Sequence, residues 1–174
     1  MEGRCQCGAV KFRTPGDKPL KWFICHCLEC RRQSASAFGI SAVFPNFDLL
    51  AQNPDNSTGV ETETEIETGA DSTADANSRP NRHENDLIGT YTHSNTNSGR
   101  QKRCYFCKKC GTRIMNLNVV PGDDRAGWVA VKGGCLEGIN GDVWTSATHI
   151  WTKSALVGIP EGVEQWEGDP PPRQ

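Results

Sequence analysis

Residues 25–32 read CHCLECRR and place three thiols, those of Cys25, Cys27 and Cys30, within six positions. Cys25 and Cys27 are two residues apart, so an extended segment puts both side chains on the same face. Cys27 and Cys30 have the C-x-x-C spacing of a metal-binding turn. The segment therefore predicts three ligands for one metal ion. A structural zinc site takes four protein ligands, whereas a catalytic site keeps one position open, so the origin of a fourth ligand decides between the two.

Two further thiol pairs occur in the motifs CQCG (residues 5–8) and CKKCG (residues 107–111). A glycine ends each motif, where a tight turn favours a residue that accepts positive φ. Cys104 is three residues from Cys107 in a predicted strand, so the two thiols face opposite sides and we expect Cys104 to be a core thiol. The pairs Cys5/Cys7 and Cys107/Cys110 then make a closed structural site, and Cys25, Cys27 and Cys30 keep an open position. In the alternative, those three recruit Cys104, Cys135 or a histidine.

The composition suits one domain of an intracellular protein. The 174 residues are 36% hydrophobic and 7% aromatic, and the net charge of −2 gives no electrostatic argument for binding nucleic acid or an anionic membrane. No apolar run approaches the roughly 18 residues that a membrane span needs. Cys5 follows the first four residues directly, so we expect no targeting peptide and a cytoplasmic location. Nine cysteines, an odd number, in a reducing compartment favour metal ligands over disulfides.

Residues 53–86 differ from the rest in composition. They contain nine acidic residues and two arginines, a charge of −7, which leaves +5 on the remainder of the chain. With almost no large aliphatic residue, this segment cannot offset its ordering entropy, and we predict a disordered acidic insertion. A docking tail is the alternative. The prediction is thus a single zinc domain made of residues 1–52 and 87–168, with an irregular tail at 169–174.

Short runs of alternating or continuous apolar residues, separated by glycine and proline turns, predict a mainly β fold. A single helical turn is expected at 28–33, a loop at 94–99 and a turn at 121–124. The predicted strands are residues 9–13, 20–25, 38–44, 87–91, 103–106, 112–118, 128–131 and 148–151.

Several residues near the central cysteines have both a structural and a functional interpretation. His26 lies between two ligands and points away from the metal if the segment is extended, so a structural role competes with acid–base work. Arg31 and Arg32 are candidates for binding the carboxylates of a substrate, or they solvate a turn. His149 precedes an apolar strand and is a candidate for binding or for proton transfer. Cys135 follows two glycines, and a buried thiol is favoured over a catalytic one.

Five segments together resemble the glutathione-dependent formaldehyde-activating family, which also contains the centromere protein V-like domains. They are CQCGAVKF (5–12), CHCLECRRQSASAF (25–38), SGRQKRCYFCKKCGTRI (98–114), GWVAVKGG (127–134) and HIWTKSALVGIPEGVEQWEG (149–168). The resemblance implies a β-tent-like fold of packed antiparallel sheets and two zinc ions per chain. It implies a carbon–sulfur lyase that joins glutathione to formaldehyde. Its implied zinc ligands are Cys5, Cys7, Cys107 and Cys110 for one ion and Cys25, Cys27 and Cys30 for the other.

Two features depart from the family pattern. The segment 53–86 is not part of the common core. Residues 34–36, Ser-Ala-Ser, stand where many members have Ser-Gly, close to the expected open site, which leaves room for a different substrate.

The chemistry of three thiolates also favours a thiol substrate. Three thiolates on Zn²⁺ carry a net charge of −1, which suits a fourth, exogenous thiolate better than the generation of hydroxide. Attack of that thiolate on a small carbonyl, or the reverse reaction, is the expected activity. The alternative is a non-catalytic zinc module that binds a protein partner, for which an open metal position has no use. A nucleic-acid-binding zinc ribbon is disfavoured because no basic and aromatic stripe is present.

Overall fold

The computed structural model describes residues 1–53, 87–119 and 127–171. This part of the chain confirms the predicted mainly β fold. Two α-helices, α1 (Leu28–Ser34) and α2 (Val143–Ser146), and two 3-10 turns, Gly133–Cys135 and Thr152–Ser154, accompany the strands. The strands are, in chain order, β1 (Glu2–Arg4), β2 (Lys11–Arg13), β3 (Lys21–Cys25), β4 (Gly39–Pro45), β5 (Ile88–His93), β6 (Lys102–Cys107), β7 (Arg113–Asn118), β8 (Trp128–Lys132), β9 (Thr148–Ile150) and β10 (Gln165–Trp166).

The strands form two sheets of unequal size. β1 and β2 pair as an antiparallel ribbon, and the other eight make one sheet in the order β10-β9-β3-β4-β8-β7-β6-β5. Strand β9 runs parallel to both of its neighbours, β3 and β10, whereas the remaining pairs are antiparallel. The large sheet is therefore mixed at one end rather than antiparallel throughout.

All eight predicted strands are present, and their ends differ from the prediction by at most two residues. Besides the two 3-10 turns, three elements were not predicted, β1, β10 and α2, because two to four residues carry no readable periodicity. The turn predicted at 28–33 is a helix of seven residues, α1. The predicted turn at 121–124 and the predicted insertion lie outside the described residues, except for Asn53, whose side-chain amide donates to Leu49 O (3.0 Å).

The main core lies between one face of the large sheet and the β1–β2 ribbon. Ala42 and Phe44 of β4 stand opposite Val131 and Val129 of β8, and all four are fully buried. They pack in one cluster with Phe12 of β2. Each of the valine and phenylalanine side chains contributes about 1.5–3 kcal/mol when removed from water. Because strand side chains alternate between faces, the residues between them point to the opposite side of the sheet.

Neither α-helix in the described part of the chain is long and apolar enough to cross a membrane.

Candidate metal sites and the adjoining cavity

Four thiols from the two ends of the domain meet in one place. The Sγ atoms of Cys5, Cys7, Cys107 and Cys110, the four-cysteine cluster, all lie within 4.8 Å of one another. Cys5 Sγ is 3.5 Å from Cys7 Sγ, and Cys7 Sγ is 3.9 Å from Cys107 Sγ. A tetrahedral zinc with Zn–S bonds of about 2.3 Å requires sulfur separations of about 3.8 Å. The cluster therefore has the dimensions of a closed metal site.

Two turns that each end in a glycine build the four-cysteine cluster. Gly8 N–H donates to Cys5 O (3.0 Å) and Gly111 N–H to Cys107 O (2.8 Å). Both glycines have φ near +75° (75° and 76°), a conformation that a side chain disfavours. In the first turn, Val10 N–H also donates to Cys5 Sγ (3.3 Å). A backbone donor of this kind stabilises the thiolate that a metal ligand must be.

Thr112 joins the two turns, a role that the sequence did not indicate. Its hydroxyl oxygen accepts from Gln6 N–H (3.2 Å) and lies 3.2 Å from Cys110 Sγ. The hydrogen bond to Thr112 is the main reason that the pKa of Cys110 falls to about 5. Burial, by contrast, raises the pKa of Cys107 to about 12. The two shifts favour the thiolate at Cys110 and the protonated thiol at Cys107.

Cys25, Cys27 and Cys30, the three-cysteine cluster, meet where β3 runs into α1. Their Sγ atoms lie within 4.8 Å of one another, and in the described part of the chain no His, Asp, Glu or further Cys joins them. The alternative in which Cys104, Cys135 or a histidine completes the set is therefore not seen there. Cys27 caps α1 and accepts from Cys30 N–H (3.4 Å).

Gly39 allows the close approach of Cys30 to the sheet. It stands opposite Cys25 in the β3–β4 pairing, and a Cβ at this position would lie 3.2 Å from the Cβ of Cys30. That distance is shorter than an ordinary carbon–carbon contact of about 3.5–4.0 Å. The glycine after Phe38 thus has a packing role that its sequence context did not suggest.

The electrostatics of the three-cysteine cluster favour a bound cation. Hydrogen bonds from Cys25 and Cys27 hold the pKa of Cys30 well below its usual range, and the Lys132 ammonium adds to this effect. For Cys25 the effect is opposite, because hydrogen bonds with Cys27 and Cys30 raise the pKa of this thiol. These shifts favour a thiolate at Cys30 and protonated thiols at Cys25 and Cys27. A metal cation would displace those protons, so the donor set fits zinc.

A cavity of about 470 Å³ opens beside the three-cysteine cluster, and all three cysteines line it. This volume is within the range of about 300–1,000 Å³ typical of small-molecule sites. Its floor is the face of the large sheet opposite the core, formed by every second residue of neighbouring strands. The pairs Ser41/Lys132, Val43/Ala130 and Cys104/Asn116 face each other across adjacent strands and all line the cavity.

His149 lies on the other face of the sheet, among the core residues. In the β3–β9 pairing Ile150 stands opposite Cys25 and lines the cavity, whereas His149 stands opposite Ile24 and is fully buried. Because side chains alternate, His149 cannot reach the cavity from this register. Binding of a substrate or proton transfer by His149 therefore remains a prediction without support from its position.

A hydrogen-bonded chain instead links His149 to the central motif. His149 Nε2 donates to Trp144 O (2.9 Å), so its Nδ1 accepts from His26 Nε2 (3.0 Å). Burial, together with the neighbouring His149, lowers the pKa of His26. His26 Nδ1 has no hydrogen-bond partner among the described residues. The ring of His26 points away from the cavity into this cluster, which favours the structural interpretation.

The two arginines that follow Cys30 differ in position. Arg32 lines the cavity and pairs with Glu29 at 3.0 Å, whereas Arg31 is not among the lining residues and donates to Ser154 O (3.4 Å). Their role in binding a substrate stays a prediction, with Arg32 the better placed.

The two cysteines outside both clusters, Cys104 and Cys135, are both buried. Cys104 is buried as predicted but lines the cavity, while Cys135 is buried and its thiol contacts Arg113 O (3.4 Å).

Ala35 ends α1 with φ 47°, the left-handed conformation that favours glycine. Residues 34–36 are not among those that line the cavity. The difference from the family pattern at these positions therefore changes the end of α1 and not the cavity wall.

The fold and site define a mainly β protein with two cysteine clusters able to hold metal ions, one of them at a cavity. A family model, described as glutathione-dependent formaldehyde-activating enzyme, matches residues 1–75 and 66–154, which confirms the resemblance. The chain belongs to this family. A comparison with curated proteins finds no match.

Proposed function

We propose that the chain is a zinc-dependent carbon–sulfur lyase that condenses a thiol such as glutathione with formaldehyde or another small carbonyl, or cleaves such an adduct. The observation that carries this proposal is the convergence of Cys25, Cys27 and Cys30 at a cavity wall without a fourth ligand among the described residues. Family membership supports glutathione and formaldehyde as the substrates. None of the nine cysteines forms a disulfide, which supports action in the reducing cytoplasm.

Two zinc ions per chain have different roles in this proposal. Cys5, Cys7, Cys107 and Cys110 hold one ion as a structural link between the N-terminal segment and the β6–β7 turn. Cys25, Cys27 and Cys30 hold the other and leave one position for a ligand from the cavity. When bound there, zinc supplies the positive charge that keeps a substrate thiol deprotonated yet nucleophilic.

The chain's own residues position the reaction and set its electrostatics. The three thiolates make the site soft and electron-rich, which favours a sulfur ligand over water. The sheet floor and α1 enclose the reacting groups on the side away from the core. In the reaction the sulfur attacks the carbonyl carbon, a carbon–sulfur bond forms, and the carbonyl π pair moves to oxygen. The proton given up by the thiol ends on that oxygen, so no oxidant or reductant is needed.

Cobalt substitution tests whether the substrate sulfur binds at the three-cysteine cluster. Cobalt reports its thiolate ligands through visible absorption, and glutathione is expected to change those bands in the native protein. Cys27→Ser is expected to abolish the response, while Cys104→Ser, which alters a cavity thiol outside the cluster, is expected to keep it. An unchanged spectrum of the native protein at saturating glutathione would contradict direct coordination.

A further inference from the structure

Cationic side chains line the cavity in excess of carboxylates. Five cations line it, and two of them have carboxylate partners, Arg32 with Glu29 at 3.0 Å and Arg100 with Asp169 at 3.5 Å. The other three, Lys102, Arg113 and Lys132, have no carboxylate partner among the described residues. We call these three the unpaired cations.

The unpaired cations come from three adjacent strands of the cavity floor. Lys132 ends β8, and its Nζ lies 3.5 Å from Ser41 Oγ across the β4–β8 pairing. Lys102 begins β6, is half-buried, and places its Nζ 5.8 Å from the centre of the Trp128 ring. Arg113 begins β7, the strand between them. Burial raises the pKa of the nearby Cys104 thiol, and the Arg113 charge offsets part of that rise.

This arrangement is unfavourable without an anion. Like charges repel, and a half-buried ammonium loses hydration that a neutral contact with a ring replaces only in part. In keeping with this, burial and then the nearby Arg100 and Lys132 lower the pKa of Lys102. The charge of −1 on a zinc-bound three-cysteine cluster offsets only one of the three cations. About two positive charges therefore remain for a negatively charged ligand to balance.

We propose that Lys102, Arg113 and Lys132 form an anion-binding subsite that selects thiols carrying carboxylates over neutral thiols of equal reactivity. The proposal rests on the proposed function, which brings a thiol to the three-cysteine cluster at the same cavity. Glutathione carries two carboxylates in addition to its thiol. With the sulfur at the cluster, the carboxylates lie along the floor among the unpaired cations. In this proposal the unpaired cations add to the predicted role of Arg32, which also lines the cavity, in selecting the charge of the substrate.

Calorimetry with S-methylglutathione tests the subsite apart from the metal. This analogue keeps both carboxylates, but its sulfur has no thiolate to offer. The zinc-loaded native chain is expected to bind it, and the binding is expected to weaken as salt is raised. Lys132→Met and Lys102→Met each remove one charge-assisted hydrogen bond and are expected to weaken binding about 10-fold or more. Lys132→Arg is expected to recover most of the loss.

Lys11→Met is the matched control. It removes the same charge from an exposed position on β2 that does not line the cavity, and its affinity is expected to equal that of the native chain. The diethyl ester of S-methylglutathione, which lacks both carboxylate charges, is expected to bind all variants equally and weakly. Thermal melting of each variant checks that the fold is intact.

Two results would overturn the subsite. One is equal affinity of the native chain for the free acid and its diester, and the other is unchanged affinity in both lysine variants. Neither depends on the cobalt response to glutathione, which tests the proposed function separately. If either of these two results is found while glutathione still changes the cobalt spectrum, the lyase proposal stands and the subsite is refuted. If the native chain binds S-methylglutathione in a salt-dependent way, the lysine variants lose that binding, and glutathione does not change the cobalt spectrum, the subsite stands. Direct coordination of the sulfur is then refuted.

Discussion

The four-cysteine and three-cysteine clusters use the same ligand in different structural settings. The first joins residues about a hundred positions apart, from the segment after β1 and from the β6–β7 turn, and brings four thiols together. The second takes its thiols from six consecutive positions and faces a cavity. A ligand set that spans the chain stabilises the fold, because it closes a long loop. A local set depends on the surrounding fold, and in the proposed function its three ligands leave a metal position for the substrate.

The largest expected effect is the loss of the four-cysteine cluster. Cys5→Ser removes a fully buried ligand. Structural zinc contributes about 10–16 kcal/mol in small zinc domains, as much as the entire stability of most domains, so the variant should fail to fold. Soluble yield, circular dichroism and zinc content measure this outcome. Cys135→Ser, a buried thiol outside both clusters, is the matched control and should remain folded; a folded Cys5→Ser with two zinc ions would refute the assignment.

The next effect separates the two clusters. Cys30→Ser should lose one zinc per chain and lower the lyase activity to background, yet keep the strand content of the native protein. The reason is that its ligands are neighbours in sequence, so their metal closes no long loop. Metal analysis, circular dichroism and an assay for the glutathione–formaldehyde adduct measure these three quantities. If Cys30→Ser unfolds as completely as Cys5→Ser, the distinction between a structural and a functional cluster is wrong.

A smaller effect is expected where the hydrogen-bonded chain supports the three-cysteine cluster from the core side. His149→Phe keeps a ring but leaves His26 Nε2 buried without an acceptor. Such a loss costs about 1–3 kcal/mol, which urea unfolding at neutral pH can measure. His93→Phe, at a half-buried position that lines the cavity, is the control and should change stability by less than about 0.5 kcal/mol. Equal stability of His149→Phe and the native chain would show that the chain of hydrogen bonds is not needed.

The smallest effect concerns the end of α1, the helix that carries Cys30. Ala35 is held at φ 47°, and glycine adopts this conformation without strain. Ala35→Gly should therefore stabilise the protein by about 0.5–1 kcal/mol, or roughly 1–4 °C in Tm. Ala51→Gly, at an exposed position without positive φ, should give no increase. A lower Tm for Ala35→Gly would mean that the entropy of the unfolded chain outweighs the relief of strain.

The sequence alone determined the features that depend on local spacing. The eight main strands, the glycines at positive φ after Cys7 and Cys110, and the grouping of seven cysteines into two pairs and one set of three all follow from residues near one another in the chain. The meeting of the two pairs in one cluster is a property of the folded chain. These motifs also carry the resemblance to the family that the comparison confirmed. Local backbone geometry suffices here, because a turn or an alternating strand is specified within about ten residues.

Only the tertiary structure decided which residues share the cavity. Lys132 ends an alternating segment, WVAVK, that predicts a strand but not which neighbour covers its second face. Likewise, His149 and Ile150 are equivalent candidates in the sequence, and only the register of β9 on β3 places Ile150 at the cavity and His149 in the core. A shift of one residue would exchange them. Strand register is fixed by pairing between distant segments and by packing on both faces, neither of which a local pattern contains.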